Sequence, residues 1–320
     1  MKYRHLTLEQ RSQIEESLSS GLSLRQIGEI VGVHASTVSR ELRRNNIRGR
    51  YNYVRADEMS AARRRNAGTQ FKKIKNQLEN RILKGLRNFW SPEQISGRLK
   101  LEGVFISHEA IYQYVRKKGL RFTLRHGGKK YKEKKTKEAG VKCIPGRVDI
   151  SERPSVVDEK SRLGDWEGDT VISHGSHCAL LTLVDRRSKY TIIRKVGRKT
   201  SENLNTAIIK SLKNEGLPVR TITFDNGSEF AGHQRISKKL KTDIYFARPY
   251  KSSDRGLNEH TNGLIRQFLP KKFDFKNTTN YDIKIIQDLL NSRPRKSLNY
   301  RAPVEVILDL KNTTAVAFHS

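Results

Sequence analysis

Apolar residues recur at helical spacing early in the chain. Leu24, Ile27, Ile30 and Val31 share one face, Gly32 interrupts the period, and Val33, Val38 and Leu42 resume it. Two short helices joined by a glycine turn predict a helix-turn-helix over residues 1–50. On the second helix, the side away from Val38 and Leu42 offers Ser36, Thr37, Ser39, Arg40, Arg43 and Arg44. Hydroxyls and guanidiniums on one face suit a recognition helix that touches base edges and phosphates in a major groove. A small bundle with a solvated face would explain the periodicity, but not the coincidence of turn glycine, polar face and arginine cluster.

A second copy of the theme spans residues 89–120. Ser91 before Pro92 reads as an N-cap with proline at the first helical position, and Ser107 is placed to cap the next helix, through Ala110, Ile111 and Tyr114. Residues 51–88, with Arg63-Arg64-Arg65 and Lys72-Lys73, read as a basic helical linker. Residues 121–155, with the lysine run from Lys129 to Lys135, read as a second basic linker. Linkers of this sign can track phosphates.

After about residue 150 the period shortens. Asp169-Thr170-Val171-Ile172, Ala179 to Asp185 and Tyr190 to Ile193 are β-branched or aliphatic runs separated by turn residues, as in an antiparallel meander. Leu204, Ala207, Ile208 and Leu212 then form a helical stripe, Thr221 to Phe224 a fourth strand, and Glu259 opens a further helix through Leu264, Ile265 and Phe268. The order predicts an α/β domain with a mixed sheet over residues 156–312, behind an all-α N-terminal half.

Charge narrows the partner. The 320 residues carry 64 Lys+Arg against 33 Asp+Glu, a formal net charge of +31. Such an excess favours association with a polyanion and says nothing about the fold. Residues 1–150 hold 34 basic against 14 acidic side chains, so nucleic-acid binding is weighted to the front. No long apolar run or amphipathic anchor points to a membrane. The start, Met1 to Leu6, lacks a secretory apolar stretch, and Cys143 and Cys178 make no disulfide framework, which fits a reducing cytoplasm. His174, His177 and Cys178 lack a second ligand cluster and read as a hairpin turn rather than a zinc site.

Against this basic background three carboxylates stand out. Asp169 opens one strand, Asp225 closes another, and Glu259 lies on a later helix, so a mixed sheet could bring all three to one edge. Like charges held together need a cation, and hard oxygen donors select Mg²⁺ or Mn²⁺. Two ions about 3.5–4 Å apart would make a phosphoryl-transfer site. By spacing alone Asp165, Glu167 or Asp185 could replace Asp169, while Glu229 could serve Asn226 as a structural acceptor.

The motifs around these acids carry a family resemblance. Trp166-Glu167-Gly168-Asp169, Phe224-Asp225-Asn226-Gly227-Ser228-Glu229-Phe230, and Arg255-Gly256-Leu257-Asn258-Glu259 with Asn262 to Gln267 resemble the signature of the IS-thirty family of bacterial insertion-sequence transposases. The 33 residues between Asp225 and Glu259, the block from Trp90 to Ile95 and the late run from Asn291 to Lys296 are also similar, so the likeness covers nearly the whole chain. It implies a ribonuclease-H-like core, metal-dependent cutting and joining of DNA strands, and binding of the element's terminal inverted repeats. Asp169, Asp225 and Glu259 would be the ligands, with Asn226 and Asn262 holding them or a phosphate. The chain departs from the family pattern at His260, where Asn is common, and at Ala302, where Thr is common.

Arg248, Lys251, Arg255, Arg266, Lys271 and Lys272 flank the third acid. They suggest a phosphate-tracking stripe for the element ends and target duplex. A non-catalytic DNA-binding regulator would not need three convergent carboxylates, and a viral-type integrase would be expected to carry an N-terminal His/Cys zinc cluster. Coordinated cutting of two ends calls for a homo-oligomer on DNA. The contacts would come from the helical N-terminal half or from the stripe of Ile283, Ile286 and Leu289, which could equally be buried within its own chain.

Overall fold

The computed structural model describes residues 5–46, 49–69 (backbone alone for 65–69), 74, 76–125, 127, 144–248 and 256–309. Two compact units, Met1–Glu79 and Asn80–Ser320, are distinguished by their internal packing. Cys143, Lys72, Lys73 and the run from Lys129 to Lys135 lie outside the described residues.

In the first unit α1 (Leu8–Ser19), α2 (Leu24–Val31) and α3 (Ala35–Asn45) follow the periodicity of the sequence. Thr7 and Ser23 close capping boxes with Gln10 and Gln26, so each entry satisfies backbone N–H groups that the helix cannot. Gly32 ends α2 at φ +71°, a left-handed turn that side-chain-bearing residues adopt only at a cost. The core holds Ile14, Ile27, Val31, Val38, Tyr51 and Ala56. Because Ala56 sits on α4 (Tyr53–Thr69), this packed unit runs past residue 50 into the stretch expected to be a linker.

Arg11 ties the unit together. Only 2% exposed, it reaches Glu41 of α3 and Asp57 of α4, each at 2.7 Å, and donates to the Leu6 carbonyl. Removing one partner of a buried ion pair commonly costs about 3–5 kcal/mol, because the other charge stays behind in a poor solvent.

The second unit opens with α5 (Asn76–Arg87), α6 (Pro92–Leu101) and α7 (His108–Lys117), α5 beginning just before the boundary. Ser91 caps α6 through a box with Gln94, Pro92 stands in the first turn, and the Ser107 hydroxyl accepts from Ala110 N–H. This helical pair is bolted to the chain's far end. A Cβ on Gly97 would lie 2.2 Å from the Tyr300 ring, so only glycine leaves the ring its seat. Arg98 and Glu305 meet at 2.7 Å, Lys296 and Glu93 at 2.7 Å, and the Phe89 and Phe268 rings meet edge-on at 4.9 Å. The missing Thr at Ala302 is partly made good by Glu305, whose carboxylate accepts the Ala302 N–H at 2.7 Å ahead of the helix at 303–309.

After a short α8 (Ser155–Glu159), five strands build one sheet: β1 (Asp165–Ile172), β2 (Ala179–Asp185), β3 (Thr191–Val196), β4 (Thr221–Phe224) and β5 (Asp243–Phe246). Their order is β3-β2-β1-β4-β5, with β1, β2 and β3 antiparallel and β4 and β5 parallel to β1. The meander expected from sequence is present, and the segment from Ser173 to Cys178 joins β1 to β2 as a hairpin. Strand β5 adds a parallel neighbour to β4 that the sequence analysis did not include, which leaves β1 as the middle strand of five.

Helices cover both faces. On one, α9 (Ser201–Glu215) and α10 (His233–Leu240) meet Trp166, Leu183, Phe224 and Phe246. On the other, α11 (Gly256–Ile265) and α12 (Asn280–Asn291) meet Val171, Leu180 and Ile193. Ile283 and Ile286 are buried there with Leu290, and Leu289 is half-buried, so the α12 stripe packs within its own chain. Gly168 lies on the α9 face, where an added Cβ would stand 2.3 Å from the Phe224 ring, itself stacked on Phe230 at 4.3 Å.

That close approach sets a test. Gly168→Ala should destabilise the unit by about 1–3 kcal/mol through overpacking, whereas Gly197→Ala, with open space around its Cβ position, should not. Coincident urea melts for the two variants would contradict the packing described.

Candidate active site

The α11 face of β1 is acidic. Strand alternation puts Asp165, Glu167 and Asp169 on that one face, at most 9% exposed. Two of the three are neutralised by arginine. Asp165 takes Arg162 in a two-pronged contact at 2.9 and 3.1 Å and the Thr221 hydroxyl at 2.9 Å. Glu167 meets Arg186 at 2.8 Å, and Asp158 bridges Arg186 to Arg153. Burial raises the Glu167 carboxyl, and Arg186 opposes the rise. Asp185 is also structural, since it accepts Gly164 N–H at 2.9 Å, Ser188 N–H at 2.7 Å and the Ser188 hydroxyl at 2.6 Å to shape the turn before β3.

Asp169 is held differently. Its Oδ1 accepts Thr170 N–H at 2.8 Å, and its Oδ2 accepts the Asn262 amide of α11 at 2.8 Å. Thr182, opposite Asp169 in the β1–β2 ladder, donates to the Asp169 carbonyl and to Asn262 Oδ1 at 3.2 and 3.3 Å. A lone polar residue between Leu181 and Leu183 was the sequence signal for that brace. Asp169 lies five residues into β1 rather than at its start.

Asp225 arrives from the next strand. The parallel ladder pairs Glu167 with Thr223, so two residues further on Asp169 and Asp225 occupy matching levels and, by alternation, the same face. Neighbouring strands lie about 4.8 Å apart. Gly227 N–H steadies Asp225 Oδ1 at 3.0 Å. Glu259 is exposed in the first turn of α11, a helix packed on β1 and β2. Among the described residues no group of three Asp, Glu, His or Cys stands close enough to share a metal ion. The structure thus aligns the two aspartates and leaves Glu259 apart from them.

The supporting residues divide. Asn262 touches Asp169, whereas Asn226 accepts from Arg147 and donates to the Ala247 carbonyl at 2.7 Å, bracing the ends of β4 and β5. Glu229 does not meet Asn226; it accepts from the Thr170 hydroxyl at 3.0 Å and from Lys199 at 2.6 Å. Arg248 and Lys272 are exposed, while Lys251 and Arg255 lie outside the described residues. Arg266, expected on the phosphate stripe, donates to the Ile172 carbonyl at 2.8 Å and lies over the Phe275 ring at 5.5 Å, fastening α11 to the end of β1.

In the first unit the recognition face of α3 is solvent-facing. Ser39, Arg40, Arg43 and Arg44 are exposed, Ser36 and Thr37 half-buried, and Arg40 is folded back on the Ser36 carbonyl and hydroxyl at 3.0 and 2.9 Å.

A helix-turn-helix joined to a five-stranded mixed sheet with acids on its central strand defines a DNA-acting protein with a ribonuclease-H-like, integrase-type core. Comparison agrees: a helix-turn-helix domain family matches residues 2–45 and the integrase core domain family matches residues 160–252. The chain is 41% identical to the transposase for insertion sequence element IS4351 of Bacteroides fragilis over 99% of both chains. It is 36% identical to the transposase InsI for insertion sequence element IS30C of Escherichia coli (strain K12), over 95% of this chain and 83% of that one. The catalytic core domain of BIV integrase aligns with 48% of this chain and 98% of that one at 17% identity and a TM-score of 0.38. The chain belongs to the IS-thirty (IS30) family of insertion-sequence transposases. An integrase core in such a family indicates polynucleotidyl transfer.

Beside the acidic face, burial and then Lys160 lower the Lys189 ammonium to about 8. The folded chain therefore sheds this proton at a lower pH than the unfolded one, so stability should rise with pH between about 8 and the ordinary lysine value near 10.4. Lys189→Met should flatten that rise in denaturant midpoints measured across the interval, and equal slopes in both proteins would refute the assignment.

Proposed function

We propose that this transposase binds the terminal inverted repeats of its element through the N-terminal helix-turn-helix and cuts and joins DNA strands at Asp169, Asp225 and Glu259. The observation that supports this most is the matching level of Asp169 and Asp225 on one face of neighbouring strands, beneath the helix that bears Glu259. Carboxylate oxygens of that kind fit Mg²⁺ or Mn²⁺, and two ions there would activate a water or a 3′-hydroxyl and stabilise the leaving oxygen. Integrase cores generally use divalent metals. In this reading Asn262 fixes the Asp169 carboxylate through its amide, and Thr182 fixes Asn262. Glu259 would join the pair as α11 adjusts over β1, with the divalent cations offsetting the repulsion among the acids.

The helix-turn-helix modules are placed at 1–50 and 89–120 and the catalytic domain at 156–312, with the first module's packing extended by the start of α4. Base edges and phosphates of the repeat fall to Ser36, Thr37, Ser39, Arg40, Arg43 and Arg44, and phosphates near the acids to Arg248, Lys251 and Arg255. Two ends held for coordinated cutting call for a homo-oligomer on DNA. Action on bacterial DNA would place the protein in the cytoplasm. Among the described residues no helix is long and apolar enough to cross a membrane.

The direct test is strand transfer on duplexes carrying the element's own ends, with and without Mg²⁺. Alanine at Asp169, Asp225 or Glu259 should abolish cleavage while end binding and the circular dichroism spectrum persist. Undiminished turnover in any one of these variants would remove that residue from the site.

Recognition is tested separately. Arg40→Ala and Arg43→Ala should weaken repeat binding by about 1–3 kcal/mol where a base is read, with relaxed preference at that base, or lower the salt slope by about 1 where a phosphate is held. Footprints that survive both changes would place the reader elsewhere.

A further inference from the structure

Glu229 stands beside the two aligned aspartates, although one more acid there adds to their repulsion. It sits in the short turn Ser228–Phe230 that follows β4, and its neighbour Phe230 is fully buried and stacked on Phe224, which pins the turn to the core. Lys199, between β3 and α9, meets Glu229 Oε1 at 2.6 Å and supplies the opposite charge. The side chain of Glu229 is 9% exposed and that of Lys199 29%, so the pair is largely shielded from water. The same Oε1 accepts the Thr170 hydroxyl at 3.0 Å. With one oxygen shared between two donors, this carboxylate is poorly placed to ligate a metal, and its partners point to another use.

Two routes lead from Glu229, one to each aspartate. Thr170, whose hydroxyl Glu229 holds, donates its own N–H to Asp169 Oδ1 at 2.8 Å. Fixing the side chain limits rotation of the residue about its Cα, and with it the direction in which that N–H points. The second route runs through Gly227, whose N–H donates to Asp225 Oδ1 at 3.0 Å. Its φ is −68°, open to any residue, so conformation does not call for glycine here. Room does: a Cβ would lie 2.5 Å from Glu229 Oε2 and 2.9 Å from Asp225 Oδ1. The bare backbone lets the Glu229 carboxylate rest against the residue whose N–H steadies Asp225.

We infer that Glu229, with Lys199 as its counter-ion, is a positioning residue that braces Asp169 and Asp225 together and so sets the spacing of their oxygens for a divalent ion. Asp169 is then aimed from two layers. Asn262 of α11 holds Oδ2, while Thr170, whose side chain alternates to the α9 face and is backed there by Glu229, holds Oδ1. Mg²⁺ demands near-octahedral ligands at about 2.0–2.1 Å, so a small change in the spacing of two carboxylates is felt as weaker binding. Residues that orient metal ligands commonly contribute about 10–100-fold in metal affinity or activity. Lys199 cancels the charge that Glu229 would add to the pair and keeps the brace from competing for the ion. The brace stands on these contacts; its bearing on cutting rests on the strand-cutting reading above.

Two measurements separate these parts. Hydrogen exchange of the full chain, read by mass spectrometry on peptides covering Thr170 and Gly227, needs neither metal nor DNA. Glu229→Ala should speed exchange at both segments, and Thr170→Val, which removes the hydroxyl and keeps the branched shape, should speed it at the first alone. Should Glu229→Ala melt below the assay temperature, Glu229→Asp, which keeps the charge but falls one methylene short, takes its place and should show the same pattern. Glu229→Gln, still able to accept from Thr170 and Lys199, should stay near the wild type. Exchange left at the wild-type rate at either segment by the alanine variant, or by the aspartate variant in its place, overturns the brace.

The second measurement is strand transfer on end duplexes over a range of Mg²⁺ concentrations. Glu229→Ala should need about tenfold more Mg²⁺ for its half-maximal rate, with end-duplex affinity unchanged, and Glu229→Gln should recover most of the loss. A merely weakened fold would lower the melting temperature and the rate without moving the Mg²⁺ midpoint, and that result overturns the positioning role. So does a Glu229→Gln variant as silent as Asp225→Ala, which would make Glu229 a ligand. Undiminished cutting by Asp169→Ala and Asp225→Ala defeats the strand-cutting reading instead, while hydrogen exchange still decides the brace.

Discussion

Three carboxylates on one face of a buried central strand are the constraint around which the catalytic unit is organised. A charge in that position is tolerable only with compensation close by. Arg162 answers Asp165 and Arg186 answers Glu167, and Arg186 is anchored in turn by the Val157 carbonyl. Asp169, last in the row, is oriented by N–H donors from Thr170 and Asn262. The gradient along β1 runs from acids locked in ion pairs to an acid presented by amides beside Asp225. Helix α11 must pack on this face because Asn262 belongs to it, and the same packing brings Glu259 into the neighbourhood.

The opposite face of β1 obeys a different rule. There Trp166 and Gly168 meet aromatic and aliphatic side chains and shape dominates over charge, until Thr170, whose hydroxyl donates to Glu229. Trp166 donates its indole N–H to the Pro218 carbonyl at 3.0 Å, and the missing side chain of Gly168 admits Phe224. The short run Trp-Glu-Gly-Asp thus serves two faces at once, which explains why an acid, a glycine and a bulky aromatic stand in alternation.

Much of this was legible in the sequence because the physics behind it is local. Caps at Ser91 and Ser107, the glycine turn at Gly32 and the β1–β2–β3 meander depend on neighbours a few residues apart, and pattern alone places them. Asp225 falls just past an apolar strand as the pattern suggested, whereas Asp169, expected to open its strand, stands inside it. What escaped depended on partners far along the chain. Strand β5 is four residues long with its first exposed, too short to show a period, and its presence makes β4 an interior strand. Arg266 looked like part of a basic stripe, but its guanidinium is taken by the Ile172 carbonyl, 94 residues away. Asp185, which closes its strand ahead of Arg186-Arg187 in the sequence, does form the turn there, held by donors from Gly164 and Ser188.

The seat of Tyr300 on Gly97 has a consequence for length. Helices α6 and α7 are clamped to the domain that carries the acids by a ring against a bare backbone and by the ion pairs of Arg98 and Lys296. Helix α7 is therefore part of the same solid body as the acids of β1. The distance between them is a dimension of the protein and not of a tether.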